Sequence, residues 1–117
     1  MFEFQKLPVY IKAKIYHAEC RLICQNAKLS GALNNQLSRA ALSVPLNIAE
    51  GSAKFSKPDR KNYFITARGS VFECVAILDI LLDERLIGKE DFESCERKAD
   101  ELSRILFTMI KNLESKQ

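Results

Sequence analysis

The sharpest grouping of chemically capable side chains is His17, Cys20 and Cys24, one imidazole and two thiols at helical spacing. Imidazole and thiolate are the ligands that hold zinc, and a closed structural site takes four of them. Cys74 and Cys95 lie far off in sequence, so either would complete such a set only through packing. Cys20 and Cys24 also fall on an apolar stripe, where a thiol acts as a small core filler. His17 sits at the edge of that stripe, suited to a half-exposed position. The expectation is four buried, reduced cysteines and no metal or other cofactor. No phosphate-cradling glycine loop, HExxH pair or nucleophile elbow occurs. Glu90, Asp91, Glu93 and Glu96 suit the solvated first half of a helix, where carboxylates complement the positive end. No catalytic residue is assigned, and the chain is expected not to be an enzyme.

Two groups of basic residues offer different chemistry. Lys14, Arg21 and Lys28 recur every seven residues, which places them in one row along a helix. Lys54, Lys57, Arg60, Lys61 and Arg68 form a second group, with Phe55, Tyr63 and Phe64 interleaved and Asp59 the one acid among them. Such groups can neutralise phosphates while an exposed ring stacks on a base. The phosphate contacts assigned are Arg21, Lys28, Lys54, Lys57, Arg60 and Lys61. Against this stands the plain reading that lysines solubilise a surface, that Phe64 belongs to a core, and that a net charge of +3 is small. Charge gains weight only if copies assemble and add their surplus to one particle.

Four apolar-periodic segments must position these residues, over about 8–29, 32–50, 57–86 and 90–113. Ser30-Gly31, Gly51 and Gly88 punctuate them, with Gly51 in the role of a helix-ending glycine. Ser56 is placed to cap the third segment, with Pro58 and Asp59 in its first turn. The tail from Glu114 through Ser115, Lys116 and Gln117 is expected to fray. Short connections force antiparallel neighbours, so residues 1–117 read as one all-α domain, an up-and-down antiparallel four-helix bundle. The N-terminus lacks a basic start leading into an apolar run, and no apolar run reaches membrane-spanning length. A cytoplasmic protein with no membrane partner is expected, which agrees with reduced thiols.

The fourth segment has one apolar stripe, from Phe92 to Leu113. The first has two: Val9, Ala13, Tyr16, Cys20, Ile23 and Ala27 on one side, and Ile11, Ile15, Ala18, Leu22 and Leu29 on the other. In the second, Leu33, Leu37, Val44 and Ile48 line one side and Leu42, Leu46 and Ala49 the other, with Arg39 its one internal charge. The third carries Ile65, Phe72, Ile77 and Ile80 off its main stripe. A helix apolar on two sides is buried on two sides, and a lone bundle covers one. A subunit interface is therefore expected, with Arg39 either in an interface ion pair or on a binding surface. Pro45 predicts a kink or one lost backbone hydrogen bond. Gly69, inside a helix, predicts a close backbone approach. Asn47, Glu50, Ser70 and Glu73 are expected to knit the second and third helices through hydrogen bonds.

Gln36-Leu37-Ser38-Arg39-Ala40-Ala41, the run from Ser43 to Gly51, and Ala67-Arg68-Gly69-Ser70 with Glu73 resemble a bacterial four-helix-bundle protein family. It includes proteins encoded by intervening sequences within large-subunit ribosomal RNA genes and accessory variability proteins of diversity-generating retroelements. The resemblance implies a ring-like homo-oligomer, a pentamer, with a positive surface. For the retroelement branch it implies binding to nucleic acid and to a reverse transcriptase. Two functions stay open: an oligomeric bundle that binds RNA or DNA backbone with little sequence specificity, or a protein-interaction scaffold with no affinity for nucleic acid.

Overall fold

The computed structural model describes residues 1–114; the expected fraying of Ser115, Lys116 and Gln117 lies outside the described residues. A short 3-10 helix, Glu3–Lys6, precedes four α-helices: α1 (Pro8–Ala27), α2 (Gly31–Ala53), α3 (Lys57–Asp83) and α4 (Lys89–Glu114). No strand occurs among the described residues. α1 packs beside α2 and α4, and α3 beside α2 and α4, so the helices stand at the corners of a square with the core between them. The α2–α3 seam is the most extensive and the α1–α4 seam the least. The expected up-and-down four-helix bundle is the fold found. No described helix is long and apolar enough to cross a membrane.

Each stop has a local cause. α1 ends at Ala27 because Lys28 turns into the left-handed region (φ 53°), after which Leu29 folds back against the core rather than joining the outer stripe. Ser30, expected to close α1, instead caps α2: its hydroxyl accepts from the Leu33 amide at 3.4 Å. Ser56 caps α3 as its type suggests, accepting from Asp59 N–H at 3.2 Å. α3 closes short of Gly88. Arg85 takes φ 61°, its amide bonds the Leu82 carbonyl, and the Leu86 amide bonds the Leu81 carbonyl. This is the paired closure usually built on glycine. Gly88 instead opens α4, its carbonyl accepting from Phe92 N–H.

Two glycines depart from their expected roles. α2 runs two residues past Gly51, which is buried inside the helix against Phe64 and Tyr63. It is the absent side chain, not a terminal conformation, that this position requires. Gly69, expected to make a close approach, has nothing within 4 Å of where a Cβ would stand and is exposed. Pro45 sits buried inside an unbroken α2, so its effect is the loss of its own N–H bond.

The inner face holds Tyr16, Leu37, Ile48, Leu78, Leu81, Leu102 and Leu106. Ile77, assigned off the main stripe of α3, is buried, whereas Ile65, Phe72 and Ile80 are exposed. The thinner α1–α4 seam is bridged by Lys98–Glu19 at 2.7 Å and Lys12–Glu101 at 3.2 Å. Burial alone would raise the Glu19 carboxyl, but the Lys98 ammonium at 2.7 Å and the Ser94 hydroxyl beside it hold it below the usual glutamate value.

Candidate nucleic-acid interface

Lys14 and Arg21 stand exposed on α1, on the flank between its core stripe and its outward apolar stripe, and Lys28 continues their line from the left-handed turn just past the helix end. Arg21 borders a shallow groove with Gln25, Asn34 and Ser38, so the row follows the α1–α2 seam. None of the three pairs with a carboxylate among the described residues. The Lys14 ammonium lies 5.1 Å from the centroid of the Tyr10 ring. His17 stands half-buried next to the row, and burial together with the Arg21 charge lowers its pKa below the ordinary imidazole value.

The second basic group is largely spent on the protein itself. Lys54 lies 3.8 Å from Glu50 and 5.1 Å from the Tyr63 ring centroid. Lys61 meets Glu114 at 3.5 Å. Arg60 is half-buried, and its Nε finds no partner within a groove shared with Phe2, Phe4 and Leu46. Arg68 donates from Nε to the Ser103 carbonyl at 3.0 Å, with Phe72 and Phe107 ring centroids at 4.9 and 5.4 Å. Lys57 alone of the group is both exposed and unpaired among the described residues, and Phe55 beside it is fully exposed. Antiparallel topology also parts the two groups. Lys28 lies at the α1–α2 turn and Lys57 at the start of α3, at opposite ends of a bundle 49 Å long.

The polar network between α2 and α3 is smaller than expected and differently composed. Ser43 and Ser70 hydroxyls meet at 2.8 Å, and Asn47 Nδ2 donates to the Ser43 hydroxyl at 2.9 Å and to the Ser43 carbonyl at 2.8 Å. Glu50 stands outside it, exposed and turned to Lys54 one turn on. Glu73 stands outside it too, three residues beyond Ser70 and exposed on the α3 surface. A carboxylate at either place keeps its water, which is cheaper than entering a seam that hydroxyls already satisfy.

The thiols separate likewise. Cys24 faces α2, 3.7 Å from the Ser38 hydroxyl. Cys20 instead enters the core beside Cys74, Cys95 and Tyr16, all fully buried. The neighbouring Cys74 thiol and burial push Cys20 up; Cys95 rises for like reasons, with Cys20 its main neighbour. Burial, then the surrounding thiols, raise Tyr16 as well. His17 shares neither location, and no group of three or more His, Cys, Asp or Glu side chains among the described residues is arranged to hold a metal ion.

Two features escaped the sequence reading. Phe107 lies on the charged side of α4 yet joins Phe72 and Arg68 on the α3–α4 seam. Arg39 and Glu73 line one groove on the α2–α3 seam with Asn35, Gln36, Ser43 and Ser70. The signal available was their spacing: Gln36, Arg39 and Ser43 share a helical face, as do Ser70 and Glu73.

The sequence model described as 23S rRNA-intervening sequence protein matches residues 5–108. Among solved structures, a protein of unknown function from the S23 ribosomal protein family of Bacteroides thetaiotaomicron VPI-5482 is similar in fold, with a TM-score of 0.82. The two share 23 % sequence identity, over 88 % of this chain and 98 % of that one. Among curated proteins none matches.

Proposed function

Because this chain belongs to the 23S rRNA-intervening sequence protein family, we propose that it is a non-catalytic, self-assembling bundle that binds RNA or DNA through the phosphate backbone. The observation that supports this best is the unpaired row Lys14, Arg21 and Lys28. Lys14 and Arg21 stand seven helical residues apart, a rise of about 10 Å, and Lys28 at the following turn extends an uncompensated positive line along which backbone phosphates can be neutralised. Such contacts carry little sequence preference. Of the six phosphate contacts read from sequence, Arg21, Lys28 and Lys57 are exposed and unpaired among the described residues, Arg60 is unpaired but half-buried, and the contribution of Lys54 and Lys61 is reduced by their carboxylate partners.

Self-assembly rests on exposed apolar surface. Ile15 and Leu22 on α1 are 52 % and 56 % exposed, Leu46 on α2 is 53 %, and Phe72 and Phe107 on the α3–α4 seam are 56 % and 51 %. The surface on α1 differs from that on the α3–α4 seam, so copies joined through the two meet by unlike faces. An unlike-face contact that closes on itself makes a ring. A ring, with the pentamer as the expected size, would repeat the α1 cations around one particle. Leu22→Asp at unchanged fold is then expected to give monomers in light scattering.

The deciding experiment is fluorescence anisotropy with labelled structured RNA, single-stranded DNA and duplex DNA across a salt series. Tight binding that weakens steeply with salt supports the backbone reading. Absence of binding even at low salt would overturn it in favour of a protein-docking scaffold.

A further inference from the structure

The α2–α3 seam opens outward into a groove of about 490 Å³, lined by Asn35, Gln36, Arg39 and Ser43 from α2 and by Ser70 and Glu73 from α3. That volume is in the range of pockets that seat one small ligand. Backbone binding leaves this groove unused. We propose that it recognises an unpaired guanine base, supplied either by an RNA strand or by a free guanine nucleotide.

The groove's charges are balanced and uncommitted. Arg39 and Glu73 are both exposed, and neither makes an ion pair or hydrogen bond among the described residues. The guanidinium offers N–H donors in a planar fork, and the carboxylate offers two acceptor oxygens. A phosphate in the groove would meet the carboxylate, and a cation would meet the guanidinium. The fitting ligand is neutral, with an acceptor edge for Arg39 and a donor edge for Glu73. Guanine has both: O6 and N7 accept from an arginine fork, and the adjacent N1–H and N2–H can donate together to one carboxylate. Adenine would set its N1 lone pair against Glu73, and the pyrimidines lack two adjacent N–H groups on the ring edge. The Ser43–Ser70 pair spends one hydroxyl hydrogen on its mutual bond, at 2.8 Å, which leaves the other as a further donor at the groove floor. The edges concerned are those used in base pairing and in the major groove, so the base must be unpaired, as in RNA loops and ends.

The RNA arm of this proposal rests on the nucleic-acid reading above; the free-nucleotide arm does not. The test follows backbone amide shifts while the full chain is titrated with guanosine, inosine or adenosine 5′-monophosphate. Guanosine monophosphate is expected to move amides across Asn35–Ser43 and Ser70–Glu73. Inosine, which lacks the N2 amine, should bind roughly tenfold more weakly, and adenosine should leave the groove unmoved. Arg39→Ala and Glu73→Gln, both at exposed positions and checked for unchanged helicity, should each abolish the guanosine response. A hairpin RNA with one unpaired guanine should lose affinity when that base becomes inosine. Nucleotide binding without any RNA binding would support the groove while the backbone function fails. RNA binding that ignores the inosine change, with groove amides unmoved by guanosine monophosphate, would overturn the groove and leave the function standing. Groove amides that respond to protein dilution but to no nucleotide would also overturn it, and would mark a contact between copies.

Discussion

Gly51 and Phe64 are packed so closely that a methyl group on Gly51 would sit 2.7 Å from Cε1 of the ring and 2.9 Å from Cβ of Tyr63. The neighbours belong to the start of α3, so this contact sets how near α2 and α3 approach. Gly51→Ala should therefore destabilise the bundle by about 1–3 kcal/mol, the usual cost of overpacking. Gly69→Ala, in open space within a helix, should stabilise it by about 0.5–1 kcal/mol. Urea melts of the two variants should move in opposite directions.

The α1 row and the second basic group should separate in salt dependence. Arg21→Glu with Lys28→Glu is expected to lower the slope of log affinity against log salt by about two for duplex targets, near 0.9 per phosphate contact. Lys61→Glu, at a position already paired with Glu114 at 3.5 Å, should change it little. An unchanged slope in the Arg21 and Lys28 double variant would remove the α1 row from the interface.

His17 should titrate below its ordinary value of about 6.5, as burial and then Arg21 dictate. As pH falls through about 6.5 the unfolded chain takes this proton first, so the contribution of His17 to stability is present above that value and is lost on acidification below it. Arg21→Ala should move the NMR titration midpoint partway back up, since burial persists. An unchanged midpoint would detach His17 from the cation row.

Tyr16 carries a buried hydroxyl with no nitrogen or oxygen partner among the described residues, although the Cys20 thiol lies beside it. Tyr16→Phe should be neutral or stabilising by up to about 1 kcal/mol, because an ill-satisfied polar atom leaves the core. Cys20, Cys74 and Cys95 should resist a thiol reagent until denaturant opens the bundle, while a loss of 1 kcal/mol or more in Tyr16→Phe would show the phenol to be well bonded.

Ser70→Ala breaks the hydroxyl pair with Ser43 and should cost about 0.5–1.5 kcal/mol. Glu50→Gln, outside the seam, should cost far less. Thermal melts of the two would distinguish a seam of hydroxyls from one of carboxylates.

The bundle was legible because periodicity reports burial directly. The stripe from Phe92 to Ile110 needs one inner face, and α4 has one. The second stripes of α1 and α2 were legible as apolar for the same reason, and in the single chain Ile11, Ile15, Leu22, Leu42 and Leu46 face outward. Roles that depend on a neighbour across a seam were not. Gly51 and Gly69 look alike in sequence, and only the position of Phe64 tells them apart. Glu50 looked like a seam residue because its helix is otherwise apolar, yet Lys54 one turn on holds it at the surface. The basic residues from Lys54 to Lys61 formed a patch in sequence because nothing local discloses that Glu114 returns to meet Lys61. Ser43 entered the network through the same cross-seam geometry, with Ser70 as its partner.

Lys28 and Arg85 are the two non-glycine residues with left-handed backbone among those described. They close α1 and α3 at the same end of the bundle. Glycine at either turn would relieve about 1 kcal/mol of steric conflict. Lys28 belongs to the cation row, so selection for heat resistance and selection for phosphate capture should pull its codon in opposite directions, whereas Arg85 lies outside both basic groups and answers to heat alone. A library randomised at both and sorted under each pressure would enrich glycine at both positions in one pool and lysine or arginine at position 28 in the other.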